Sequence, residues 1–227
     1  MTANLKRKLW NQPDLAPGDG VELLGELHPL LEQLGSFDGL VTLNAASTSW
    51  AGPAVESYET LAIFLESYRS QILLPMDLPA IQRAFNHASR NETRELIALD
   101  LEVARQPVLR EFASASQRVG KCQLRRLRPL RDVRVVQRYL TAVEAGRSHA
   151  WHTVVYGLTL AVYSLPIRQG LMSYARQTLQ GFIHAAARPL RVSEHRCRGL
   201  MEGLCADLPR QLETLFSPAN APRPPRS

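Results

Sequence analysis

The stretch SHAWHTVVYGLTLAVYSLPI, residues 148–167, is the longest in the chain without an Asp, Glu, Lys or Arg. It predicts a buried core helix over 149–164, which ends before Pro166 because proline cannot continue a helix. Two histidines, two threonines and Gly157 interrupt its apolar residues. The stretch is therefore too short and too polar to span a bilayer, and its most apolar part is expected inside the protein.

Helical periodicity continues on both sides of this stretch. In AGPAVESYETLAIFLESYRSQI (51–72), apolar residues recur at three- and four-residue steps. Pro53 is expected in the first turn of that helix, and Asp77 and Ser193 are expected to cap later helices. VRVVQRYL (133–140) contains β-branched residues that also favour strands. Because its neighbours do not alternate, a helix is predicted there too.

These segments predict an all-α protein, a single-domain helical bundle of roughly eight to ten helices over residues 21–216. Residues 1–20 are rich in Pro, Gly, Asp and Asn and are expected to form a flexible N-terminal arm. The segment 217–227 has four prolines in eleven residues. It is expected to be a disordered tail.

The composition is that of an ordinary globular protein, with 45% apolar and 21% charged residues. The net charge of +6 favours acidic partners but does not determine a fold. Three cysteines in 227 residues do not indicate a disulfide framework, and they favour a reducing compartment. No apolar run follows the basic N-terminal residues, so no secretory signal is expected and the predicted location is cytoplasmic.

No catalytic motif stands out in the sequence. A P-loop, a dinucleotide glycine fingerprint, a nucleophile elbow and a CxxC pair are all missing, and the chain is not predicted to be an enzyme. His149 and His152 are candidate metal ligands, because residues three apart can project from one side of a helix. Without a third ligand nearby, a buried or interfacial hydrogen-bonding pair is the favoured interpretation.

The most strongly basic stretch is RVGKCQLRRLRPLRDVRVVQR, residues 118–138. Its basic residues are Arg118, Lys121, Arg125, Arg126, Arg128, Arg131, Arg134 and Arg138, against the single acid Asp132. Several of them follow helical steps, and such a stripe can match the phosphates of a nucleic acid. No aromatic residue is interleaved for base stacking, so solvated helix faces on both sides of Pro129 are favoured.

Two stretches of the second half resemble the UreF family of urease accessory proteins. In VLREFASASQRVGKCQLRRL (108–127), the family's pattern is matched by Leu109, Arg110, Ser114, Ser116, Arg118 and Gly120. HTVVYGLTLAVYSLPIRQGLMSYARQTLQGFIHAAARPL (152–190) is closer still. It matches at His152, Val154, Val155, Tyr156, Gly157, Leu165, Pro166, Tyr174, Ala185, Ala186 and Arg188. The likeness extends over roughly residues 54–208.

The chain departs from the family pattern at two places. An early motif survives only as LGSFDGL (34–40), in which Gly35 and Phe37 remain but the family's serines and glutamate are missing. After Arg188, RVSE (191–194) stands where the family has Pro-Leu-Gly-Gln. The chain is therefore identified as a divergent member.

The resemblance implies an all-helical, non-enzymatic protein that forms a homodimer and helps to assemble the nickel centre of urease. Such proteins bind a second accessory protein, UreD (also called UreH), and the pair recruits the GTPase UreG to the urease apoprotein. Nickel and GTP are then handled by the partners, and no cofactor is expected on this chain. The implied partner contacts are Phe37, Ser116, Gly120, Tyr156, Gly157, Tyr174 and Arg188.

Other functions remain open from the sequence alone. The basic stretch keeps a helical nucleic-acid-binding protein as an alternative, as well as another protein-interaction module that has lost the urease role. His149 and His152 keep metal binding open. A complex with UreD and UreG, a salt-sensitive DNA complex or a bound metal would distinguish these functions.

Overall fold

The computed structural model describes residues 37–216, and the side chains from Leu43 onward, as helices joined by short connections without a strand. The α-helices are α1 (Phe37–Ser49), α2 (Tyr58–Tyr68), α3 (Leu78–Ser89), α4 (Thr93–Ala104), α5 (Ala113–Arg126), α6 (Arg134–Glu144), α7 (His152–Val162), α8 (Ile167–Ala187), α9 (Glu194–Cys205) and α10 (Leu208–Leu215). The all-α prediction is confirmed. The predicted arm at 1–20 and tail at 217–227 lie outside the described residues.

Helix α7 lies at the centre of the fold. Every residue from His152 to Leu160 is buried, and α3, α4, α5 and α8 contact this helix. A helix that is apolar on all sides needs neighbours on all sides, which explains its central position. The predicted buried core helix is confirmed, although it begins at His152 rather than at residue 149. No helix within residues 37–216 is long and apolar enough to cross a membrane.

Helix α6 confirms the helix predicted for residues 133–140. Its buried side chains are those of Val135, Val136, Tyr139 and Leu140, together with Ala142. The first four of these follow i, i+1, i+4 and i+5 spacing, which places them on one side of a helix. Tertiary contacts with α4 and α5 cover that side, so packing outweighs the β preference of the valines.

Helices α2 and α3 are joined by a π-helical segment, Arg69–Asp77, that contains Pro75. The N–H group of Leu78 donates to the carbonyl oxygen of Leu73, five residues back. Pro75 has no N–H group to donate, and the wider helix accommodates it without ending the helical path. The predicted cap at Asp77 is therefore wrong, because Asp77 has helical backbone angles and makes no cap hydrogen bond.

The start of α2 also differs from the prediction. Ser57 caps this helix by accepting from the N–H group of Thr60 at 3.2 Å. Pro53 lies in the connection before it and not in its first turn, so that prediction is wrong. The predicted cap at Ser193 is confirmed, because its hydroxyl accepts from the N–H group of Arg196.

Aromatic rings join α2 and α8 to the segments that follow α1 and precede α5. Trp50 stacks on Phe64 with 5.5 Å between ring centroids, and Tyr68 meets Phe182 edge-on at 4.7 Å. Phe112, in the 3-10 turn Pro107–Phe112, lies 5.9 Å from both Trp50 and Tyr68. Such aromatic pairs each contribute about 0.5–1.5 kcal/mol beyond the burial of their area.

Candidate interaction surface

The segment that leads into α7 is held by one buried carboxylate on α4. Asp100 is fully buried, and its two oxygens accept four hydrogen bonds. The donors are the hydroxyl of Ser148 at 2.5 Å and the N–H groups of His149 at 2.5 Å, Ala150 at 3.1 Å and Trp151 at 2.6 Å. These bonds fix the backbone of residues 148–151. The entry to the central helix is therefore positioned by a tertiary contact with α4.

Ser116 and Gly120 bring α5 against the same segment. The Ser116 hydroxyl accepts from the N–H group of His152 at 3.0 Å and so serves the first turn of α7. A Cβ atom at Gly120 would overlap the carbonyl oxygen of Ala150 and lie 2.9 Å from its carbonyl carbon. Glycine is needed here because α5 approaches the backbone of this segment directly.

Tyr156 and Tyr174 make hydrogen bonds in the interior. The Tyr156 hydroxyl donates to the carbonyl oxygen of Gly170 at 3.1 Å, which ties α7 to the start of α8. The hydroxyls of Tyr68 and Tyr174 both donate to Asp77 Oδ2, at 2.7 Å and 3.4 Å. Burial raises the pKa of Asp77 from 3.8 to about 7, although both tyrosine hydrogen bonds act to lower it.

This raised pKa predicts a specific pH dependence of stability. Folding favours the protonated Asp77 carboxyl, so its contribution is complete below about pH 4 and is lost as the pH rises through 7. Between pH 5 and pH 8 the chain should lose about 2–3 kcal/mol of unfolding free energy from this group. Asp77→Asn keeps an acceptor for Tyr68 but cannot ionise, so urea denaturation should show a smaller loss. Equal pH dependence in both proteins would contradict this prediction.

His149 and His152 do not project from one helix side by side. His152 is buried in the first turn of α7, with its ring 5.8 Å from that of Tyr174 and 6.1 Å from that of Tyr156. His149 precedes the helix and is half-buried. Within residues 37–216, no group of three His, Cys, Asp or Glu side chains is placed to hold a metal ion. Metal binding is the less favoured interpretation of these two histidines, and nothing in the described residues tests it further.

The remaining candidates lie in different environments. Gly157 lies where α7 crosses α3, and Arg188 follows the end of α8 with an exposed side chain. Phe37 begins α1, but its side chain lies outside the described part of the chain. Ser116, Gly120, Tyr156, Gly157 and Tyr174 are all buried. The structure gives these five residues roles inside the fold, through hydrogen bonds for Ser116, Tyr156 and Tyr174 and through close packing for the two glycines, and their part in partner binding stays a prediction.

The basic stretch covers the outside of α5, of α6 and of the connection between them. All eight of its basic side chains are exposed, while Val119, Leu124, Leu127 and Val135 lie beneath them. The prediction of solvated helix faces is confirmed for the placement of these side chains. We call the eight residues, Arg118, Lys121, Arg125, Arg126, Arg128, Arg131, Arg134 and Arg138, the basic surface. Its Arg128 pairs with Glu144 at the end of α6.

A groove of about 380 Å³ between α4 and α6 extends this surface. Its lining residues are Thr93, Arg94, Ile97, Gln137, Arg138, Thr141 and Arg147. Only Arg138 and Gln137 belong to the basic stretch. Sequence reasoning missed Arg94 and Arg147, because neither lies in a charged run and only the contact between α4 and α6 brings them to one place.

Comparison with known proteins gives one family. A family model described as UreF matches residues 55–203, which is more than half of the chain and extends from the connection before α2 into α9. The comparison with curated proteins gives no match. The matched range includes Asp100, the close backbone contacts at Gly120 and Gly157, and the basic surface.

Proposed function

The chain belongs to the UreF family of urease accessory proteins, and from this membership we propose that it acts as a non-enzymatic helper in the assembly of the nickel centre of urease. In this proposal it forms a homodimer in the cytoplasm and binds UreD (UreH). The pair then recruits the GTPase UreG to the urease apoprotein. Nickel is the cargo of the assembly, and nickel and GTP are handled by the partners.

The family match over residues 55–203 is the observation that carries this proposal. The structure supports it in one respect. The interior is held by specific contacts, such as the four hydrogen bonds to Asp100, while the basic residues lie outside on α5 and α6. An exposed basic surface of this kind matches an acidic patch on a partner protein by charge complementarity.

Complex formation tests the proposal. Purified chain, mixed with UreD and UreG at micromolar concentration, should elute from a size-exclusion column together with both partners. The chain mixed with UreG alone serves as a control for contacts that do not need UreD. Elution of the chain by itself from the complete mixture would contradict the proposal.

A nucleic-acid-binding protein is the second candidate, and the eight exposed basic residues of the basic surface favour it. This function predicts a complex with duplex DNA whose affinity falls steeply with salt concentration. Among residues 43–216 the exposed large apolar side chains are Ile63 and Tyr163, and neither lies on the basic surface. A platform for base stacking is therefore missing there. The absence of a mobility shift at low salt would remove this candidate.

A further inference from the structure

The groove between α4 and α6 holds three cations without counter-ions. Arg94 lies in the first turn of α4, Arg138 on α6, and Arg147 just after α6. Their side chains line the groove, and none of them makes an ion pair with a residue in the range 43–216. No carboxylate is found among the described residues that line this groove. Three like charges around one concave site create a local positive potential.

Among residues 43–216, six arginines outside the groove are paired with glutamates, whereas others, such as Arg105 and Arg118, make no ion pair. The pairs are Arg69–Glu66, Arg83–Glu102, Arg128–Glu144, Arg168–Glu213, Arg196–Glu59 and Arg198–Glu194. Glu92, which precedes Thr93 in the sequence, is engaged elsewhere, because its carboxylate lies 2.7 Å from His87 Nδ1. The groove is distinguished by the convergence of three such unpaired arginines on one concave site, and not by the lack of ion pairs alone.

A second, uncharged feature of the groove also points to an anion. The hydroxyl oxygen of Thr93 is buried and makes no hydrogen bond with a described residue. Thr93 is the first residue of α4, so this hydroxyl lies at a helix N-terminus, where the helix dipole favours negative charge, and the acidic residues Glu92 and Glu95 of this turn do not line the groove. A buried hydroxyl without a partner is unfavourable, and an acceptor that settles against this end of α4 would satisfy it.

The backbone at Arg147 is fixed before any ligand arrives. Gly146 ends α6 with a positive φ of 69°, and the N–H group of Arg147 donates to the carbonyl oxygen of Ala142 at 2.9 Å. This is the hydrogen-bond pattern of a Schellman cap. The next residue, Ser148, is held by Asp100. The backbone of this segment therefore loses less conformational entropy when the groove binds its ligand.

We propose that this groove binds carboxylate side chains of an acidic segment of a partner protein. The proposal rests on the proposed function, in which the chain acts by binding proteins. Guanidinium groups match carboxylates in planar, two-point contacts, and Ile97 gives the groove an apolar wall for the stem of an Asp or Glu side chain. A groove of about 380 Å³ accommodates a few side chains and not the width of a duplex.

The test uses two triple variants with equal charge changes. Arg94→Gln, Arg138→Gln and Arg147→Gln remove the groove cations. Arg105→Gln, Arg176→Gln and Arg210→Gln remove three other exposed arginines, from the end of α4, from α8 and from α10. A fluorescent oligoglutamate peptide is titrated into each full-length protein. The groove variant should bind about 30-fold more weakly than the unaltered chain, and the control should stay within about threefold.

The second arm measures binding of each protein to UreD and UreG, where the groove variant should again be weaker than the control. If the unaltered chain binds neither partner, the proposed function fails. The peptide titration still tests whether the groove binds carboxylates. Equal peptide affinities of the two variants would overturn the inference. A groove variant that loses duplex DNA binding but keeps peptide binding would also overturn it, in favour of a nucleic-acid site.

Discussion

Replacing Gly157 by Leu is expected to lower the free energy of unfolding by about 3 kcal/mol or more. A Cβ atom at Gly157 would overlap the carbonyl oxygen of Ile81 and lie 2.7 Å from Ala84 Cβ and 3.0 Å from the N atom of Phe85. These are mostly backbone atoms of α3, which cannot turn aside as the end of a flexible side chain can. The helices must therefore separate, and the most extensive contact of the core opens.

Gly199 and Gly203 provide the matched control. Both lie in α9, and nothing lies within 4 Å of a Cβ atom added at either position. Gly203→Leu should leave stability unchanged or raise it by up to about 1 kcal/mol, because glycine is a poor helix former. Urea denaturation followed by circular dichroism measures both variants. Equal stability of Gly157→Leu and the unaltered chain would show that α3 and α7 do not cross as described.

The second large effect is expected from Asp100→Ala. This change leaves the hydroxyl of Ser148 and the N–H groups of His149, Ala150 and Trp151 without their acceptor. Since these groups are mostly buried, we expect a loss of about 3–5 kcal/mol. Asp100→Asn keeps one acceptor oxygen but turns an amide donor toward other donors. Asp100→Asn should therefore have a free energy of unfolding between that of Asp100→Ala and that of the unaltered chain.

Asp132→Ala is the control for this prediction, because Asp132 is an exposed acid on the connection between α5 and α6. It should change stability by no more than about 0.5 kcal/mol. Hydrogen exchange at the amides of residues 149–151 adds a local measurement. Slow exchange in the unaltered chain should become fast in Asp100→Ala at a denaturant concentration where the fold persists. Unchanged exchange at these amides would contradict the role given to Asp100.

Much of the fold follows from local sequence. The uncharged stretch 148–167 predicts the central helix because apolar residues on all sides need neighbours on all sides. The π-helical segment could not be predicted in this way. Pro75 and Asp77 carry the usual signals of a helix end and a helix start, but the packing of Tyr68 and Tyr174 around Asp77 keeps the chain helical. Tertiary contacts here outweigh local preference.

The candidate site was predictable only in part. Family patterns single out Ser116, Gly120 and Gly157, but a pattern does not say whether a residue contacts a partner or its own core. Burial distinguishes the two, and it requires the fold. The groove is a clearer case. Arg94 lies far from Arg138 in the sequence, and Arg147 lies outside the basic stretch 118–138. Their convergence therefore depends on the packing of α4 against α6.

Urease activation is the most direct test of the proposed function. Urease apoprotein, UreD, UreG, nickel and GTP are incubated with and without the purified chain, and ammonia release from urea is then measured. Activity should develop only when the chain is present, and the Arg94, Arg138 and Arg147 triple variant should support less activity than its control. Equal urease activity with and without the chain would contradict the proposed function.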